Sequence, residues 1–151
     1  MNRTAIVFEK VLPYPAETIW HALTTTEVIA KWLMPNDFVA RVGHRFNFRT
    51  RPMGDWDGVV QCEVLVCEPP RLLAYSWKGG SDKDPARGSR LDTEVRWTLT
   101  PVADGTHVRM EHDGFVLPKD AFAFEGMKPG WGRVLDRIAN LIAEPEQLAN
   151  L

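Results

Sequence analysis

The sequence predicts an α+β fold in which a curved antiparallel sheet wraps a long C-terminal helix, with two short helices after the first strand. Three observations carry this. Helical spacing occurs near both ends of the chain, only strand-like alternation lies between, and the last helix bears one continuous apolar stripe that needs a sheet to cover it. If that sheet curves, the space it encloses is either filled by side chains or left open for a ligand.

Residues 4–12 (Thr-Ala-Ile-Val-Phe-Glu-Lys-Val-Leu) are rich in β-branched and aromatic residues and stop at Pro13, which predicts a strand. Pro15 suits the first position of a helix whose apolar face is Ala16, Ile19, Trp20 and Leu23. Thr24-Thr25-Thr26-Glu27 matches a capping box, so a second short helix is expected from about Thr25, carrying Val28, Ile29 and Trp32 and ending before Pro35. Strands are then expected at 38–40, 45–50, 58–68, 71–78, 89–101 and 106–114, separated by Gly, Pro and Asp turns and pairing as antiparallel neighbours. The last helix is expected to begin near Lys128-Pro129-Gly130-Trp131-Gly132. Its stripe is Trp131, Val134, Leu135, Ile138, Leu141 and Ile142, and Pro145 ends it. The longest irregular pieces are 51–57, 79–90 and 115–127, and loops of that length in a compact domain tend to be functional or mobile.

Alternation assigns the faces. Leu91, Thr93, Val95, Trp97 and Leu99 oppose Asp92, Glu94, Arg96 and Thr98; Val108, Met110 and His112 oppose His107, Arg109, Glu111 and Asp113. Phe46 and Phe48 oppose Arg45, Asn47 and Arg49, and Val60, Cys62, Val64 and Val66 oppose Gln61 and Glu63. Leu73, Tyr75 and Trp77 are expected to face inward. One face is wet and the other apolar.

At 151 residues the chain reads as a single domain, residues 1–151, of ordinary globular composition (44% hydrophobic, 25% charged). A net charge of −2 without any long basic run argues against nucleic acid and anionic membrane as partners, and neither is expected. No run reaches the length of a membrane span, and the charged N-terminus lacks the apolar core of a signal peptide. Cys62 and Cys67 are expected on opposite faces of one strand, ~16 Å apart, too far for a disulfide. Free thiols suit a reducing compartment, so the expected location is cytoplasmic.

The run Pro13-Tyr14-Pro15-Ala16-Glu17-Thr18-Ile19-Trp20-His21-Ala22-Leu23-Thr24, followed by Lys31-Trp32, resembles the opening of the SRPBCC (START-like) superfamily. Within it, the chain resembles the branch named after the C-terminal domain of the activator of heat-shock-protein-ninety ATPase. Pro69-Pro70-Arg71-Leu72-Leu73-Ala74-Tyr75-Ser76-Trp77 looks like that branch's strand after paired prolines. Gly105 to Phe115 is similar to its last strand, and Gly130-Trp131 to the start of its long helix. Two departures are Gly43-His44, where members often carry two glycines, and Tyr14 in place of a small polar cap. The resemblance implies a helix-grip fold; its functional implication is looser, because that fold hosts lipid carriers, receptors, cyclases and co-chaperone modules.

The candidate site is an apolar pocket lined by Trp32, Phe46, Phe48, Trp77, Trp97, Met110, Met127, Trp131 and Leu135, with Tyr75 and His112 as polar handles. His112 is the one titratable residue on the apolar face; it reads either as a ligand handle or acid/base group, or as a hydrogen-bonded core histidine. The histidines and cysteines lack metal-ligand spacing, no nucleophile elbow or phosphate loop occurs, and no cofactor is expected. The expected function is therefore binding of a hydrophobic or amphipathic small molecule. A polyketide cyclase- or dehydratase-like enzyme using the same cavity and a co-chaperone-like module are the alternatives. The single domain argues against a chaperone partner, and a homodimer is left open.

Overall fold

The computed structural model describes residues 2–83 and 89–144. Its strands are β1 (Asn2–Leu12), β2 (Arg45–Arg49), β3 (Val59–Glu68), β4 (Leu72–Gly79), β5 (Leu91–Val102) and β6 (Gly105–Leu117); its helices are α1 (Ala16–Thr24), α2 (Thr26–Trp32) and α3 (Ala121–Ala143). The strands form one curved antiparallel sheet in the order β1-β6-β5-β4-β3-β2, so β1 and β2 are its two edges. The chain leaves one edge, crosses through α1 and α2 to the other, and meanders back until β6 pairs with β1. α3 then lies over the concave face against β1, β6 and the helix pair, which makes the fold an α+β helix grip. No helix among the described residues is long and apolar enough to cross a membrane.

Register builds the concave surface row by row. Val64, Tyr75, Val95, His112 and Ile6 are successive partners across five strands, and Leu73, Trp97, Met110 and Phe8 form the neighbouring row. Directly opposed residues share a face, so these rows are one continuous apolar wall. It is closed by Ile19, Leu23, Ile29 and Trp32 from α1 and α2 and by Trp131, Val134, Leu135 and Ile138 from α3, all buried.

Four expectations are corrected. The capping box does not form: Thr24 and Thr25 turn their hydroxyls back onto the carbonyls of Trp20 and His21, at 2.7 and 2.6 Å. Here α2 follows α1 so closely that the nearest free acceptors belong to the preceding turn. Residues 38–40 are not a strand. Asn36 accepts from the Phe38 amide (3.0 Å) and Asp37 accepts from the Asn47 amide (2.7 Å), so side chains satisfy the backbone locally and Phe38 is buried as a plug.

The third correction concerns β3. The register slips between Val64 and Val66, leaving Leu65 as an extra residue. Cys67 then pairs with inward-facing Leu73 and Val66 with Ala74, so Cys67 shares the concave face with Cys62 and Val66 leaves it. Both thiols are free. Fourth, α3 begins at Ala121 and runs through Pro129. Phe124 extends the buried stripe by two turns and packs edge-on against Phe115 at 5.3 Å. That burial offsets the ~3 kcal/mol that an internal proline costs. The helix is described as far as Ala143, with Glu144 as its cap; Pro145 lies outside the described residues.

Gly105 closes the β5–β6 hairpin at φ 137°, where a Cβ would lie 2.1 Å from the Leu12 carbonyl oxygen. Gly105→Ala is expected to lower stability by about 2 kcal/mol or more, read as a shift in the urea midpoint.

Candidate functional site

His112 sits at the middle of the sheet and is fully buried (0% exposed). The Trp131 indole N–H, which can only donate, reaches His112 Nδ1 at 3.0 Å. That places the imidazole proton on Nε2, which donates to Thr93 Oγ1 at 2.8 Å, while the Thr93 hydroxyl donates to the Trp77 carbonyl oxygen at 2.8 Å. Every polar atom of the chain Trp131–His112–Thr93–Trp77 is thus satisfied, and the chain links α3 to β6, β5 and β4. Burial pushes the His112 pKa down to about 3, so the ring is neutral at physiological pH.

Around this chain the concave face is packed solid. Trp131 stands 5.7 Å from Trp77 and 6.1 Å from Trp97, and Trp97 stands 5.6 Å from Trp32, all edge-to-face. Phe46 packs against Phe48 at 5.4 Å and against Tyr75 at 5.5 Å. The Tyr75 hydroxyl accepts from the Trp97 indole at 3.2 Å, and burial raises its pKa. Burial likewise raises that of the Cys62 thiol, which leaves it an unreactive core residue.

The open space lies farther along the same face. A cavity of about 890 Å³ is bounded by Val60, Trp77 and Gly79 of the sheet, Ser89 and Leu91 at the start of β5, and Phe122, Ala123, Gly126 and Met127 of α3. Met34, Met53 and Trp56 complete its apolar wall. Of the residues expected from sequence, Trp77 and Met127 line this cavity. Trp32, Phe46, Phe48, Tyr75, Trp97, Met110, His112, Trp131 and Leu135 are not in its lining; they form the packed wall beside it. Most of the lining residues that pattern missed, among them Met53, Trp56, Phe122 and Gly126, come from segments that lack strand alternation; Val60 and Leu91, on alternating strands, are the exceptions. The signal for them was length: each of the three longest irregular stretches supplies part of the wall. Residues 84–88 of the second stretch lie outside the described residues.

Asp120 fixes the helix end of the cavity. It is 2% exposed, accepts from Ser89 Oγ at 2.6 Å and from the Val116 amide at 2.8 Å, and pairs with Lys119 at 2.8 Å. Burial alone would raise its pKa, but the bonds from Lys119, Ser89 and Val116 outweigh burial and hold it below the usual value. The first turn of α3 is thereby latched to the start of β5. Among the described residues, no group of three His, Cys, Asp or Glu side chains is placed to hold a metal.

The sheet, the gripped helix and the cavity between them define a helix-grip domain of SRPBCC type. The chain belongs to the family described as Activator of Hsp90 ATPase homolog 1-like protein, whose model matches residues 13–143. It is 41% identical to protein MLL2253 from Mesorhizobium loti, with a TM-score of 0.81 over 93% of this chain and 97% of that one. Protein BH1534 from Bacillus halodurans is 27% identical, with a TM-score of 0.71 over 94% of this chain and 99% of that one. The Aha1 dimer from Colwellia psychrerythraea shares the fold at 21% identity and a TM-score of 0.71, over 92% of this chain and 96% of that one. No curated protein matches the sequence.

With a folded pKa of about 3 against about 6.5 when unfolded, His112 takes up a proton first in the unfolded chain. Its contribution is therefore complete above about pH 6.5 and falls by about 1.4 kcal/mol per pH unit below it, until about pH 3. Urea unfolding is expected to show wild type losing ~2 kcal/mol from this group between pH 6.5 and pH 5. His112→Phe should lack that slope, and should be ~1–3 kcal/mol less stable at pH 7 because the Trp131 donor is left unpaired.

Proposed function

We propose that the protein binds a hydrophobic or amphipathic small molecule in the cavity between the sheet and the first turns of α3. One observation carries this reading: the interior is filled by interlocking rings along most of α3, yet about 890 Å³ is left open between apolar walls. That size is within the range of small-molecule pockets, ~300–1,000 Å³. Apolar wall left against water forgoes ~25 cal/mol per Å², so a ligand that covers it is stabilised without any catalytic group. Trp77 and Met127 supply direct contact, and the remaining aromatic residues act as the rigid wall behind them. Met53 and Phe122, 63% and 60% exposed at the rim, mark the way in, with the 51–57 segment and Gly79, Gly80 and Ser81 as its gate.

The free thiols favour a cytoplasmic site of action. A homodimer is part of this proposal, on the strength of the Colwellia neighbour being described as a dimer. An enzyme using His112 for proton transfer has less support, because both ring nitrogens are already hydrogen-bonded and the ring is outside the cavity lining.

Gly126 provides the test. It lines the cavity from within α3, and a Cβ built on it meets nothing within 4 Å. Gly126→Trp is expected to keep the fold, since tryptophan is a better helix former than glycine by roughly a few tenths of a kcal/mol and nothing crowds the new Cβ. It should abolish binding of the neutral fluorophore N-phenyl-1-naphthylamine, titrated by fluorescence. A wild-type protein that fails to bind the fluorophore, or a folded Gly126→Trp that binds it as wild type does, would contradict the proposal.

A further inference from the structure

The apolar cavity runs into a smaller polar cleft of about 300 Å³, and the two share Asp55, Gly79, Gly80 and Ser81. Asp55 is the one charged residue among the described lining of the apolar cavity. It stands at the neck where the apolar wall ends. A tight hairpin holds it there: Met53 and Trp56 exchange two backbone hydrogen bonds, at 3.1 and 2.9 Å, around Gly54 and Asp55. Gly54 takes the positive φ of 56° that this turn needs.

The other charges of the cleft are balanced or engaged. Asp57 accepts from the Val59 amide at 3.0 Å and Asp82 from the Arg90 amide at 2.7 Å. As charges, these two acids offset Lys83 and Arg90, the cations of the cleft. Asp55 is left over: among the described residues no hydrogen bond or ion pair occupies its carboxylate. Beside it, the Trp56 indole is fixed by its N–H to the Val59 carbonyl oxygen at 3.0 Å. Trp77 and Met127 line the same cavity. A carboxylate next to anchored indole rings is the combination that recognises an organic cation, by charge and by cation–π attraction.

We propose that the ligand is a cationic amphiphile, with an apolar body in the cavity and a protonated or quaternary amine at the neck between Asp55 and Trp56. This rests on the cavity being a binding site, and adds the sign of the ligand's charge. The test is displacement of N-phenyl-1-naphthylamine by decyltrimethylammonium, decanol and decanoate, each kept below micelle formation. In wild type the ammonium should bind about tenfold more tightly than decanol, with decanoate weakest. That preference should shrink as salt is raised. In Asp55→Asn it should fall below about threefold, with decanol affinity unchanged, which also shows that the variant is folded. The wild-type ranking decides by itself: if decanol or decanoate matches the ammonium, the cationic assignment is overturned while the cavity stands. Survival of the preference in folded Asp55→Asn overturns the role of Asp55. If neither fluorophore nor decanol binds wild type, the binding reading itself fails and this inference with it.

Discussion

The structure depends on one buried contact, the hydrogen bond from the Trp131 indole to His112. A lone polar group in an apolar interior costs about 1–3 kcal/mol, so neither residue is tolerable there without the other. Their pairing, extended through Thr93 to the Trp77 carbonyl, fixes the depth and rotation of α3 over the sheet. The hydrophobic effect itself is non-directional, and the hydrogen bond adds a fixed distance and direction to the packing of the rings around it. The same bond makes His112 a structural residue: with both nitrogens engaged and the ring neutral, it anchors the helix.

Once α3 is fixed at Trp131, the size of its residues decides where space remains. Toward its C-terminal end Val134, Leu135, Ile138 and Ile142 fill the groove. Toward its N-terminal end Ala123 and Gly126 face the sheet across a gap that Trp77, Leu91 and Met127 do not close. The gap persists because the helix end cannot settle inward. Asp120 holds it to Ser89 and Val116, and Lys119 donates to the Arg90 carbonyl at 2.9 Å. Two polar fastenings, one in the middle of the helix and one at its start, thus hold apart surfaces that hydrophobic attraction alone would bring together.

Family membership accounts for the frame and leaves the cavity's chemistry to this chain's own loops. The 53–56 hairpin brings Trp56 and Asp55 to the rim, and Gly79 and Gly80 allow the chain to turn there at φ 157° and 98°. A side chain at Gly80 would put its Cβ 2.1 Å from the Ser89 carbonyl oxygen. The boundary between apolar cavity and polar cleft is therefore bare backbone on one side and a carboxylate on the other, an arrangement suited to a ligand with two different ends.

Most of the fold was legible in the sequence because it rests on periodicity. Alternation in β5 and β6 and the stripe from Trp131 to Ile142 need only the local geometry of strand and helix to be read correctly. The failures share a cause as well. The bulge at Leu65, the side-chain-braced loop at Asn36 and Asp37, and the helix that passes through Pro129 are all places where strand pairing, side-chain hydrogen bonds or burial outweigh the backbone's own preference. By itself the sequence determined which residues are apolar, which strands alternate and that one helix must be covered. Whether that covering is complete was decided only in three dimensions. A cavity is the difference between large packed volumes, and it depends on how far apart the His112–Trp131 and Asp120–Ser89 contacts hold the helix and the sheet.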